Sequence, residues 1–391
     1  MDIKAIEYSP IGQLVPIAGF DQSTAEEFTH QAFLPEPLPA EISLPSQVWT
    51  TVAHAEAALG RLDEASQQMP EPRLLRNAAL RREAQSTSAL EGTFAPFEEV
   101  MEPELEERSS LPLEVWEILN YVAAAEQAFE WIASRPVTTR LLAELQRTLV
   151  WGTPSELSDA GSVRSRQVVV GAAGSSVLDA RFVPPPPGDQ LVAGVDQLVD
   201  WMRSETPLPP VVRAALGHYQ FETLHPFSDG NGRIGRLVVV LQLMRDGVLR
   251  EPILVVSPWL EARGTEYQDH LLELSRTGEW GPWVEFFAGG VAEAADAFRQ
   301  RIEILLDWRE EAVEKAREAG VVGVSERLTA ELIGSPVLTA SRVARTHNVS
   351  HAGAMKALRR LVEIGLLVES ARGGRKRFSA TRAVELLEFR F

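Results

Sequence analysis

Between Leu224 and Arg236 the chain reads Leu-His-Pro-Phe-Ser-Asp-Gly-Asn-Gly-Arg-Ile-Gly-Arg, which places a histidine, a carboxylate, a Gly-Asn-Gly turn and two arginines within one short stretch. Each of these suits a task in handling phosphate. His225, with an unperturbed pKa near ~6.5, can accept a proton from an incoming hydroxyl. Asp229 is the only carboxylate in the stretch, and Mg²⁺ on a polyphosphate needs just one or two from the protein. Successive N–H groups of Gly230, Asn231 and Gly232 can form an anion nest, and Arg233 and Arg236, at i and i+3, can face the same anion. The apolar run Leu237 to Leu241 predicts a buried helix, so the loop should open into a helix N-terminus whose dipole favours an anion. These parts suggest nucleotidyl or phosphoryl transfer. The structural alternative is a Gly-rich turn with a satisfied histidine and two surface arginines; the complete ordered set HPFxDGNGRxxR weighs against it. No GxxxxGK[ST] occurs, which excludes a Walker-type loop.

The stretch resembles the signature of the Fic (filamentation induced by cAMP) proteins, HxFx(D/E)GNGRxxR, at every specified position. Leu216 to Glu222 is similar to the helix that leads into that motif, Gly161 to Pro187 to the family's flap region, and the resemblance covers most of the chain. It implies a mainly α fold: a Fic helical core with a small β-hairpin flap, plus a C-terminal winged helix-turn-helix domain. It further implies transfer of AMP from Mg·ATP to a Tyr, Thr or Ser hydroxyl of a target protein or of the chain itself. His225 would then be the catalytic base and Asp229 the Mg²⁺ ligand. Gly230, Asn231 and Gly232 would bind the phosphates, with Asn231 on the α-phosphate side, and Arg233 and Arg236 would clamp the rest. Relatives also move UMP, phosphocholine or phosphate, or remove AMP, and a DNA-binding regulator whose Fic core senses nucleotide is a further alternative.

Several elements must position these residues. Val48, Val52, Ala55, Leu59 and Leu62 predict a helix from Ser46 to about Gln68, and a second should run from about Arg73 to Leu90. At its end stands Thr87-Ser88-Ala89-Leu90-Glu91-Gly92. Ser88-x-x-Glu91 has the form of a capping box, yet such a box opens a helix, and Gly92 and Pro96 follow at once. The hexad also matches the (S/T)xxxE(G/N) motif of Fic proteins, which implies that Glu91 is inhibitory, pairing with Arg236 in place of the nucleotide's γ-phosphate. Residues 97–160 read as core helices, with Val115, Ile118, Leu119 and Val122 on one face and Leu141, Leu142, Leu145 and Leu149 on another. Val168 to Val170 and Val177 to Val183, around a Gly-rich turn, predict a hairpin. A surface hairpin filling an edge is one reading; the resemblance implies a flap that holds the target by strand addition at residues 168–183. Trp280, Trp283, Phe286 and Phe287 recur at helical spacing and read as core.

Residues 1 to about 50 are Pro-rich, and Phe33 to Pro39 favours an extended or polyproline strip, packed rather than loose if the resemblance holds. Asp307 to Ala319 is a charged helix leading to a Gly-containing linker. From Gly323 onward two short helices with a turn at Asn348 to Ser350, a strand at Leu366 to Glu369 and a basic Gly-Gly turn resemble a winged helix-turn-helix. It is open whether that module contacts DNA or protein. The expected divisions are an N-terminal extension with the inhibitory helix (1–96), the Fic core (97–308), a linker helix (309–322) and the winged helix (323–391).

With 45% hydrophobic and 24% charged residues the chain can bury a sizeable core. It has no cysteine, which rules out disulfides and thiol catalysis and fits a reducing compartment. No basic, apolar leader and no long apolar run occurs, so the expected location is cytoplasmic without membrane contact. The net charge of −17 argues against a nucleic-acid coat. Gly323 to Phe391 carries twelve Arg/Lys and six Asp/Glu, a balance of +6 that leaves −23 for the remainder. Besides ATP, a protein target and a DNA or protein contact through the winged helix, the expected partner is a second copy in a homodimer.

Overall fold

Helical periodicity governs most of the sequence, and the structure, a computed structural model that describes residues 1–21, 26–67, 72–102, 111–172, 176–372 and 375–391, is mainly helical. Its first elements are α1 (Ile3–Ile6), β1 (Gly12–Asp21), β2 (Glu26–Pro35), α2 (Ser46–Gln67), α3 (Pro72–Ala89), α4 (Phe97–Met101), α5 (Leu113–Ile132) and α6 (Thr139–Val150). Then follow α7 (Asp189–Arg203), α8 (Pro210–Leu224), α9 (Asn231–Arg245), α10 (Ser257–Ala262), α11 (Gly264–Thr277) and α12 (Trp280–Glu318). The last are α13 (Val324–Glu331), β3 (Val337–Leu338), α14 (Ala340–Thr346), α15 (His351–Glu363), β4 (Val368–Arg372), β5 (Arg375–Ser379) and α16 (Thr381–Leu387). No helix among the described residues is long and apolar enough to cross a membrane.

The chain divides into two units that interleave along the sequence. The first takes Met1–Ala57, Ala123–Leu249 and Arg263–Ala292, and the second Ala58–Val122, Arg250–Ala262 and Glu293–Phe391. The segment expected as a separate linker helix, 309–322, is the C-terminal part of the continuous α12 and the turn after it.

In the first unit α8 and α9 form the centre, and nearly every residue of both is buried. They pack closely because Gly235 has no side chain: a Cβ there would stand 2.3 Å from Glu222 Oε1 and 3.0 Å from Phe221 Cδ1. Of the aromatic residues read as core, Trp283 and Phe287 are buried while Trp280 and Phe286 are half-buried at its edge, and Trp283 donates its indole N–H to Ala215 O at 2.9 Å.

Sequence pattern missed the N-terminal hairpin. β1 and β2 pair antiparallel from Gly12 opposite Pro35 to Asp21 opposite Glu26, where an extended Pro-rich strip was expected. Pro16 lies in β1, whose sheet has only two strands, so its missing N–H costs little on an edge. The strip is realised only after β2, where Gln220 donates to Glu36 O at 3.0 Å and Trp201 to Pro39 O at 2.9 Å.

Conversely, the hairpin expected at residues 168–183 is narrower than predicted. Among the described residues it contains one antiparallel pair, Val170 with Phe182, bonded at 2.9 and 3.0 Å. Two competing interactions explain this. Gln167 Nε2 occupies the carbonyls of Val168 and Pro184, and the returning half packs on β2 instead, with Phe33 N–H donating to Val183 O at 2.9 Å. Ile17 and Ala32 pack with Val177, Ala180 and Val183, and Phe33 with Phe182. The turn of the expected hairpin, Gly171 to Gly174, lies partly outside the described residues.

In the second unit α3 is fastened along its length. Glu83 accepts from Ser257 N–H at 2.9 Å, and the buried Arg82 donates to Phe389 O, at 3.1 Å from Nε, and to Gln85 at 2.9 Å. The last 70 or so residues place β5 between β3 and β4, with α14, α15 and α16 around the sheet. Ser350 caps α15 through Gly353 N–H, and Ala354, Ala357, Leu358 and Leu361 turn to the core, as their spacing predicted. Two of the basic residues after the turn are paired: Lys376 with Glu369, and Arg377 with Glu102 and, at 3.6 Å, with Glu98. Gly373 and Gly374 lie outside the described residues.

Candidate active site

The signature forms a loop between α8 and α9. His225 caps the C-terminus of α8 in the left-handed region (φ 49°), with its N–H donating to Phe221 O at 2.9 Å. Its Nδ1 lies 3.2 Å from Glu222 O. A carbonyl can only accept, so the Nδ1 contact places a ring proton on that nitrogen. Gly230 turns the chain into α9 with φ 83°, and a Cβ there would strike Leu149 Cδ2 at 2.6 Å. The first N–H groups of α9, from Asn231, Gly232 and Arg233, have no carbonyl within their own helix to receive them.

The side chains differ in what they have left to offer. Arg233 is buried and donates from Nη2 to Asp229 Oδ1 at 3.0 Å, while its Nε–H makes no hydrogen bond among the described residues. Arg236 is buried one turn further along α9. Asp229, 40% exposed, also accepts from Ser155 Oγ at 2.6 Å. No cluster of three or more metal-ligating side chains occurs among the described residues. The Asn231 amide braces the loop itself: Oδ1 accepts from Phe227 N–H at 2.8 Å and Nδ2 donates to Phe227 O at 2.7 Å. The nest expected at Gly230 to Gly232 is made of main-chain N–H groups, and the Asn231 side chain holds the loop that presents them.

The end of α6 and the segment from Asp159 to Arg166 brace this loop, a role that the sequence reading did not give them. Gln146 donates to Asp229 O at 3.1 Å, and Asp159 accepts from Ser228 Oγ at 2.7 Å. Burial alone would raise the Asp159 carboxyl; the bonds from Ser228 and Ser165 N–H and the charge of Arg166 outweigh it and hold it below the usual carboxylate range. Arg164 donates through Nε to His225 O at 2.8 Å, through Nη1 to Arg166 O at 2.9 Å and through Nη2 to Pro185 O, while its own N–H reaches Pro226 O at 2.9 Å. Beyond that segment lies a groove of about 860 Å³ that includes Ile17, Phe20, Phe28, Gln167, Val168 and Val169 in its lining.

His218, one α8 turn and a half before the signature, is structural. It is buried between Tyr267, whose hydroxyl is 2.7 Å from Nε2, and Gly235 O, 3.1 Å from Nδ1. Burial first, then the charge of Arg236, lowers its pKa to about 3 against the opposing pull of Gly235 O, so it is neutral.

Glu91 belongs to the second unit. There α3 closes in a Schellman turn: Gly92 has φ 87°, Thr93 N–H donates to Ser88 O at 2.9 Å and Gly92 N–H to Ala89 O at 3.0 Å. Glu91 is therefore a C-terminal residue of its helix and Ser88 does not open one. A carboxylate at the negative end of a helix is unfavourable for that helix. Its presence there calls for another reason.

Residues 49–130 match the family model described as Fic/DOC family N-terminal, and residues 136–243 that described as Fic/DOC family. The protein adenylyltransferase Fic of Drosophila willistoni is 34% identical over 166 residues, 40% of this chain and 30% of that protein. The protein adenylyltransferase fic-1 of Caenorhabditis elegans is 34% identical over 145 residues, 37% of this chain and 24% of that protein. The chain thus matches less than a third of either relative's length. Among solved structures, a Fic family protein from Desulfovibrio desulfuricans G20 shares the fold with a TM-score of 0.55 and 23% identity, covering 87% of this chain and 97% of that one. Fic-1 of C. elegans, residues 134–508, has a TM-score of 0.52 and 21% identity, covering 67% and 74%.

Proposed function

The chain belongs to the Fic/DOC family, and from that premise we propose that it is a protein adenylyltransferase, moving AMP from ATP to a Tyr, Thr or Ser hydroxyl of a protein target or of itself. One observation carries the reading: a single loop sets the His225 imidazole, its Nδ1 against Glu222 O, beside a helix N-terminus whose arginine, Arg233, has a buried N–H donor that makes no hydrogen bond among the described residues. An anion at the start of α9 would fill that donor.

In the reaction, His225 Nε2 takes the proton of the acceptor hydroxyl as its oxygen bonds to the α-phosphorus. The bond from that phosphorus to the bridging oxygen breaks, and pyrophosphate leaves with the electron pair. The N–H groups of Asn231, Gly232 and Arg233 and the Arg233 and Arg236 guanidinia stabilise the phosphate charge from fixed positions. Asp229, a single half-exposed carboxylate, fits a magnesium ion that is shared with phosphate oxygens rather than one enclosed by protein. Bound there, Mg²⁺ would neutralise charge on the phosphates. The groove lined by Phe20, Phe28 and residues 167–169 is where we place an extended target segment.

Glu91 is proposed as an internal competitor for the γ-phosphate. The exposed carboxylate at a helix C-terminus, against the dipole preference, supports that role. The element order of residues 323–391 supports a winged helix, and the pairing of Lys376 and Arg377 with glutamates favours a protein-contact role over binding to nucleic-acid phosphates. The lack of cysteine supports a reducing, cytoplasmic setting.

ATP labelled at the α-phosphate tests the proposal. Label on protein should rise with Glu91→Gly and disappear with His225→Ala, which removes a general base worth roughly 10²–10⁴ in rate. Undiminished label with His225→Ala would overturn the assignment, and no label with any variant despite ATP binding would point to another donor.

A further inference from the structure

We infer that Arg164 is the positioning residue of this site, its guanidinium and backbone N–H holding the main chain of His225 and Pro226 so that the imidazole stands where a base must. The reading rests on His225 as the base. Four bonds from one residue reach three segments: His225 O and Pro226 O on the signature loop, Arg166 O beside it and Pro185 O across from it. The side chain is only 2% exposed. A guanidinium removed from water so completely is costly unless its donors are met, and here three carbonyls meet them.

The bond to His225 O has a particular use. His225 is held at φ 49°, a region that a residue with a Cβ enters only at a steric cost, so the surrounding structure must impose it. A cation at the C-terminal carbonyls of α8 is also favoured by the helix dipole. Burial lowers the Arg164 pKa only to about 10, so the charge persists at neutral pH. Without the fork, His225 can relax towards negative φ and carry its ring away from the acceptor. A displacement of about 1 Å is enough to reduce a rate by roughly a hundredfold. Lysine would keep the charge but not the planar fork that spans three carbonyls.

The test uses Arg164→Lys and Arg164→Met in the full chain, with three readouts: AMP-transfer kcat, ATP affinity, and amide hydrogen exchange resolved by peptide. We expect kcat to fall about a hundredfold in both variants and ATP affinity to change less than about threefold. Exchange should accelerate at the non-proline residues of 225–229 and at 164–166, and not elsewhere. Wild-type exchange at 225–229 in Arg164→Met, or a wild-type rate in Arg164→Lys, would overturn the inference. So would loss of protection throughout the chain in both variants, which would make Arg164 a general folding residue. Should the wild type transfer no AMP, the proposed reaction fails, and the exchange pattern still decides whether Arg164 holds the loop.

Discussion

Asn231→Ala separates two roles that the signature alone does not distinguish. If the amide holds the loop, its removal leaves both the N–H and the C=O of Phe227 without their bonds at 2.8 and 2.7 Å. Phe227 is 1% exposed, so water cannot readily replace them. Each buried main-chain group left unmet costs about 1–3 kcal/mol, which gives roughly 2–6 kcal/mol for the pair. At roughly 2–4 °C per kcal/mol for a unit of this size, the melting temperature should fall by about 10 °C. The measurement is thermal unfolding without nucleotide, beside ATP affinity determined at a temperature where the variant is folded. The expected result is a large loss of stability in the absence of ligand. A melting temperature unchanged within about 1 °C, with ATP binding at least tenfold weaker, would show that the amide serves the nucleotide and would refute the reasoning.

His218 predicts a pH dependence. Its folded pKa of about 3 lies below the unfolded value near ~6.5, so the unfolded chain binds the extra proton between them; the stability His218 supports is complete above ~6.5 and declines as pH falls towards 3. Unfolding midpoints measured from pH 7 to 4 should fall less steeply in His218→Gln, and equal slopes would remove His218 as a cause. Gly235→Ala should destabilise the α8–α9 pair by about 1–3 kcal/mol, because its Cβ would stand 2.3 Å from Glu222 Oε1. A denaturant midpoint equal to wild type would show that Glu222 moves aside without penalty.

The signature was readable because its parts are local: a helix end, a left-handed turn at Gly230 and the next helix start lie within a few residues of one another, and types and spacing alone define them. The same holds for Ser350 capping α15 and for the apolar faces of α5 and α6. Arg164 left no such trace, since its partners are main-chain carbonyls up to 61 residues away and carbonyls have no residue type. The bonds from the Asn231 amide to Phe227 were equally silent, because an amide aimed at the chain four residues back has the same letter as one aimed at a ligand. The N-terminal hairpin escaped because the Pro-rich first 50 residues, Phe33 to Pro39 above all, suggested an extended strip, whereas an edge strand tolerates proline as well.

The bond between Arg82 and Phe389 joins residues 307 apart, and the pairing of Arg377 with Glu102 spans 275. During synthesis every residue of the first unit, which ends at Ala292, leaves the ribosome before either fastening can form. Contacts of such separation also close slowly. The stretch from Arg377 to Phe389 therefore reaches Glu102 and Arg82 only after the whole first unit has been made, and the second unit is the last of the two to be completed.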